Sequence, residues 1–178
     1  MKKILMLAIV SILAVGCQSK STSKGGIDTK TFTNKYECTR ESTLTQYELE
    51  HRDTKSLVLS EEELNEKNDG PLAVNKKIQK IYDFNEDGSK LLKYYDVEKY
   101  EYLIEVDMQE EKKYYEKECN NISSERYDSC DITIDGNTLI ITKSNNLKSD
   151  MNKDMANTTT KDSLIEAYKD GELFTCEG

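Results

Sequence analysis

Four cysteines, Cys38, Cys119, Cys130 and Cys176, run from near the start of the chain's body to its third-last residue, and they constrain the fold more than any other feature. The chain around them is polar, with 36% hydrophobic residues, no Trp and a mean hydropathy of −0.76. Such a composition supports a globular domain with a thin core. Cross-links matter in that setting, because each contributes roughly 2–4 kcal/mol against a typical total stability of about 5–15 kcal/mol. Four cysteines allow three connectivities. Pairing Cys119 with Cys130 would close a short loop, and pairing Cys38 with Cys176 would tie the first strand to the last; this is the expected arrangement. A redox pair or a zinc site would need other companions. No C-x-x-C occurs, and the only histidine, His51, has no second imidazole to join it.

A fifth cysteine, Cys17, belongs to a different segment. Lys2 and Lys3 precede an apolar run from Ile4 to Val15, broken only by Ser11. As a helix this run spans about 18 Å, short of the roughly 30 Å hydrocarbon core of a membrane, and it reads as an export signal. It ends in LAVGC, Leu13 to Cys17, which resembles the lipobox of bacterial lipoproteins. That resemblance implies cleavage before Cys17 and attachment of lipid, including palmitate-type acyl chains, to it. Ala14 stands where the commonest lipobox has Leu, and Ala14 with Gly16 also fits an ordinary secretory cut, which would leave a free thiol. Parity favours lipidation, since removing Cys17 leaves an even set suited to an oxidising compartment.

The expected organisation is therefore a signal peptide over 1–16, the lipidated cysteine and a flexible Ser-, Lys- and Gly-rich tether over 17–30, and one extracytoplasmic domain over 31–178. Localisation would be the outer face of the cell membrane, with the membrane itself a partner through the lipid. The net charge of −9 argues against nucleic-acid binding and against electrostatic adhesion to anionic lipid.

Along the body, Thr33–Arg40 and Leu44–Arg52 read as a pair of strands. Ser60 with Glu63 forms a capping-box signature for a short helix, and residues 68–71 break the chain. Val74, Ile78, Tyr82 and Phe84 share one strand face. The partner run is Leu91 to Met108, in which Tyr100, Tyr102, Ile104, Val106 and Met108 alternate with acids. A helix from about Asp107 to Asn120 would carry Met108, Tyr115 and Cys119 on one face. Asp135-Gly136 marks a hairpin between Cys130–Ile134 and Thr138–Thr142. Leu147, Met151 and Met155 recur every four residues, as in a short amphipathic helix or arm. Thr159 with Asp162 would cap a last helix ended by Gly171, and Leu173–Cys176 closes the chain as a strand. The expected fold is α+β: an antiparallel sheet of about five to seven strands with two or three short helices, stapled by disulfides.

Asp83 to Gly88, DFNEDG, matches the first half of a calcium-binding EF-hand loop. The match stops there. Position twelve, which should be a bidentate Glu, is Tyr94, position nine is Leu91, and the flanks read as strands rather than helices. The segment is better read as hairpin-turn chemistry.

The lipobox, the K-Y-x-C-T strand at Lys35–Thr39 and the G-x-x-F-x-C ending at Gly171–Cys176 together resemble the YehR-like family of small bacterial lipoproteins. The resemblance implies a lipid-anchored α+β domain of unknown activity and carries over no catalytic residues.

Tyr94, Tyr95, Tyr100, Tyr102, Tyr114 and Tyr115 fall within 22 residues. Tyrosine joins an apolar ring to a polar tip, which suits recognition of peptide or sugar and equally suits a thin sheet wetted on one side. Tyr94, Tyr100 and Tyr102 are the candidate ligand-binding residues. No G-x-S-x-G elbow accompanies His51, which reads as a solvated strand residue, and no glycine-rich phosphate loop occurs. Neither a metal site nor a cofactor is expected. The leading functional expectation is a non-enzymatic binding or interaction module with an envelope protein or small ligand as partner. The alternatives are a binder of divalent cations or cationic ligands through the acidic surface, and a cell-envelope hydrolase.

Overall fold

The computed structural model describes residues 27–53, 58–122, 124–171 and 173–178. The expected signal peptide, Cys17 and most of the expected tether lie outside them. Among the described residues, six strands form one antiparallel sheet, accompanied by five helices and two disulfides, an α+β fold.

A single 3-10 turn at Thr29–Thr31 leads into β1 (Asn34–Thr45), followed by α1 (Gln46–Glu50) and α2 (Glu61–Asp69). The long hairpin of β2 (Leu72–Phe84) and β3 (Leu91–Tyr102) comes next, then α3 (Met108–Asn120) and the second hairpin of β4 (Tyr127–Asp135) and β5 (Thr138–Asn145). The chain ends with α4 (Lys153–Thr158), α5 (Lys161–Lys169) and β6 (Thr175–Glu177). The strand order is β4-β5-β3-β2-β1-β6, so the last strand docks on the first.

Both expected disulfides are present. Cys38 lies directly opposite Cys176 in the β1–β6 ladder, with Cα atoms 4.0 Å apart. Cys119 near the end of α3 joins Cys130 in β4, with Cα atoms 5.7 Å apart.

Register puts Val74, Lys76, Ile78, Lys80 and Tyr82 of β2 opposite Tyr102, Tyr100, Glu98, Asp96 and Tyr94 of β3, all on one face of the sheet. The helices cover this face at its two ends. At one end, Leu49 of α1 and the Met108–Tyr115–Cys119 stripe of α3 pack on Val74, Tyr100, Tyr102, Leu139 and Ile141. At the other, Met155 of α4 with Leu164 and Tyr168 of α5 packs on Tyr36, Tyr82, Phe84, Leu91 and Tyr94. Between these two apolar clusters runs a belt of charge, Lys76, Lys80, Asp96, Glu98 and Lys143.

Four local readings change. Leu44–Arg52 is not a second strand: β1 continues unbroken to Thr45, and the chain then enters α1. A reciprocal capping box drives the switch, with the Thr45 hydroxyl accepting from Glu48 N and the Glu48 carboxylate accepting from Thr45 N. β3 stops at Tyr102 although its alternation continues to Met108, because its ladders end at Val74↔Tyr102 and Thr138↔Glu101 and leave nothing to pair with. Ile104, Val106 and Met108 fold back onto the first apolar cluster instead. The last helix is capped by Thr160 with Ser163, one residue later than expected. In the Leu147–Met151–Met155 series, Leu147 and Met155 pack inward while Met151 is 57% exposed, since α4 begins only at Lys153.

Candidate functional site: a cleft between α1 and α3

A cleft of about 530 Å3 opens over the sheet between α1 and the C-terminal half of α3. Its floor is strand: Lys76 of β2, Glu98 and Tyr100 of β3, Ile141 and Lys143 of β5. One wall carries Tyr47 and Leu49 of α1, the other Tyr114, Tyr115 and Glu118 of α3.

Arg52, just beyond α1, ties the two walls together. It makes a two-pronged pair with Glu111 of α3, at 2.5 and 3.1 Å, and its guanidinium lies 3.8 Å from the centroid of the Tyr114 ring. Tyr102 donates to the same Glu111 carboxylate at 2.6 Å, and Tyr114 donates to Asp53 at 2.8 Å. Burial pushes the Glu111 carboxyl up, but the hydrogen bonds from Arg52 and Tyr102 outweigh it and hold it below its ordinary range. Burial and the bond to Asp53 push the Tyr114 hydroxyl up to about 12. These groups form a charged hinge pin at one end of the cleft.

The floor has its own network. Lys76 and Lys143 each pair with Glu98, on different oxygens, at 3.0 and 2.8 Å, and Tyr100 donates to Glu98 at 2.6 Å. Burial alone would raise the Glu98 carboxyl. The bonds from Lys143 and Tyr100, with the charges of Lys143 and Lys76, bring it down to about 2. The Tyr100 and Tyr115 rings meet with centroids 5.0 Å apart, and the Lys76 ammonium sits 4.8 Å from the Tyr100 ring centroid.

The three tyrosines singled out from sequence separate here. Tyr100 contributes to the cleft floor. Tyr102 is only 2% exposed in the first apolar cluster, its hydroxyl committed to Glu111. Tyr94 belongs to the second cluster, stacked on Tyr82 at 4.6 Å, with its hydroxyl donated to Asp96. His51 is exposed as expected but ends α1 rather than lying in a strand, with its ring stacked on Tyr47 at 4.1 Å. The residues that sequence reasoning missed, Arg52, Lys76, Glu98 and Lys143, carry no local motif. Lys76 with Lys80 on β2, Asp96 with Glu98 on β3, and Lys143 on β5 break strand faces that are apolar toward their ends, and that interruption is the signal that could have found them.

DFNEDG ends β2 and begins the β2–β3 turn. Gly88 takes φ +74°, and Asp83, 2% exposed, accepts from Thr33 N at 2.7 Å and Asn34 N at 3.2 Å. The aspartate that begins the calcium-like motif thus receives the entry of β1. Among the described residues, no group of three or more His, Cys, Asp or Glu is placed to hold a metal ion, and no helix is long and apolar enough to cross a membrane.

Compared with family models, curated proteins and solved structures, the chain matches none.

Proposed function

We propose that the protein is a membrane-tethered extracytoplasmic binding module, anchored through lipid on Cys17, that holds a small ligand in the cleft between α1 and α3. The cleft carries this reading. It has the size of a ligand pocket, tyrosine rings on both walls and the floor, and a few convergent charged groups that would fix orientation. The two disulfides fit an oxidising compartment, and the short motifs resembling YehR-like lipoproteins point the same way.

Two measurements test it. A ligand bound only by the native state raises the melting midpoint. Amino acids, short peptides and saccharides of the cell envelope are therefore tried against the purified protein and against Tyr47→Ala, which removes one wall ring. A midpoint rise in the parent that shrinks in Tyr47→Ala is expected; a flat series, or an equal rise in both, defeats the cleft assignment. For the anchor, labelled palmitate should enter the protein and Cys17→Ser should abolish the label. Retention of the label by Cys17→Ser excludes the lipoprotein assignment.

A further inference from the structure

The cleft floor holds more positive charge than its own partners neutralise. Lys76 and Lys143 direct two ammonium groups at the single carboxylate of Glu98. Tyr100 adds a third hydrogen bond to that carboxylate, which is then filled by this chain's own donors. Each ammonium has three N–H donors, of which Glu98 engages one on each, and the Lys76 ammonium also faces the Tyr100 ring at 4.8 Å. All three charged side chains are only about one-fifth exposed, 20–21%. An unmatched cation so far withdrawn from water is costly to keep.

Among the described residues, Glu98 is the one carboxylate within ion-pair distance of Lys76 or Lys143. Further along the belt, Lys80 and Asp96 form a balanced pair, and Asp96 also accepts from Tyr94 and Asn145. Glu48 on the wall is committed to the Thr45 cap, and Arg52 is matched by Glu111. Glu118 is the remaining acid of the lining, and Lys67 is a further cation. Over the whole lining, with Arg52 set against Glu111, the cations Lys67, Lys76 and Lys143 are balanced by Glu48, Glu98 and Glu118, so the excess of positive charge is local to the floor, where two lysines share Glu98.

Beside the surplus charge stand the paired rings of Tyr100 and Tyr115 and the aliphatic side chains of Leu44, Leu49 and Ile141. We propose that the cleft binds a small organic anion, a carboxylate or phosphate monoester on a flat or apolar body. The charge would take the spare protons of Lys76 and Lys143, and the body would lie against the tyrosine and aliphatic surfaces. The proposal rests on the cleft being the binding site and adds the sign and shape of the ligand.

Four probes of similar body test it by titration calorimetry and by amide shifts of the 15N-labelled full chain: phenylacetate, phenyl phosphate, phenylacetamide and phenethylamine. At least one anion should perturb cleft amides and bind at least tenfold more tightly than the amide, with affinity falling as salt rises. The ratio of the two anions tells carboxylate from phosphate. Lys143→Gln should weaken the anion about tenfold and Lys143→Arg should restore it. Glu98→Gln should tighten it, because removing the internal carboxylate frees both lysines; a merely structural role for Glu98 predicts no gain. Equal or better binding of the amide or the amine overturns the proposal while leaving the cleft a binding site. No gain in folded Glu98→Gln also overturns it. Cleft amides unmoved by all four probes overturn it too, and the wider reading then stands or falls by the thermal series with Tyr47→Ala.

Discussion

Glu98 shows how a single carboxylate is kept ionised where burial opposes it. Its pKa falls from 4.5 to about 2, so its contribution to stability is complete above about 4.5 and is lost as pH drops toward about 2. A shift of that size corresponds to a contribution on the order of 3 kcal/mol. Denaturant unfolding of the parent and of Glu98→Gln across this interval isolates it from Glu37 and Glu111, whose carboxyls are also depressed. The parent should lose more stability on acidification than the variant, and parallel pH curves would show that Glu98 does not couple protonation to folding. Nothing in the local sequence around Glu98 announces this role. It follows from β2 and β5 flanking β3 and bringing one lysine to each carboxylate oxygen, a non-local arrangement that periodicity cannot see.

At the scale of elements, the β2–β3 turn does more than reverse the chain. The Gly88 carbonyl accepts from Lys161 N at the start of α5, and the Lys161 ammonium reaches the Asn34 side chain at 2.7 Å. Asn34 in turn donates to the carbonyls of Asn85 and Glu86. The turn, the entry of β1 and the last long helix are locked together. Gly88→Ala would force a Cβ into a left-handed backbone, at about 1–2 kcal/mol, and bring it within 3.1 Å of the Lys161 Cβ. A loss of at least that size is expected in thermal or denaturant unfolding, whereas Gly136→Ala, with open space around it, should show the backbone penalty alone. Equal losses at the two sites would mean that the turn does not brace α5.

The hairpins, α2 and α3 were legible because their caps and periods are local: Ser60 with Glu63, Asp107, and Asp135-Gly136. The Thr45–Glu48 capping box was equally local but went unread, because the β-favouring residues around it suggested a continuing strand. The alternation beyond Tyr102 misled for the opposite reason, since a strand pattern has no effect where no neighbouring strand remains. The cleft was illegible as a unit. Its residues come from α1, α2, four strands and α3, and only Tyr100 among them was singled out in advance as a ligand contact.

For the whole molecule, the disulfides differ in reach. Cys38–Cys176 spans 138 residues of sequence and Cys119–Cys130 spans 11. Loop-closure entropy assigns about 5 kcal/mol to the first and about 3 kcal/mol to the second. Replacing both cysteines of each pair by alanine should therefore cost more for Cys38 and Cys176, as read by denaturant midpoint. The reverse order would place the cross-linking benefit elsewhere than in the unfolded chain.

The run of β1 also gives the domain a direction. The chain enters at Asn34, beside the β2–β3 turn, and reaches the cleft at Leu44, ten strand residues later, about 33 Å away. On the proposed anchoring, a tether from Cys17 would attach at the turn end, and the domain would stand on the membrane by one tip and carry its cleft on the other. The ligand would then arrive from the wall or the medium rather than from the lipid surface. Lengthening the tether would change how far the cleft reaches without changing what it faces.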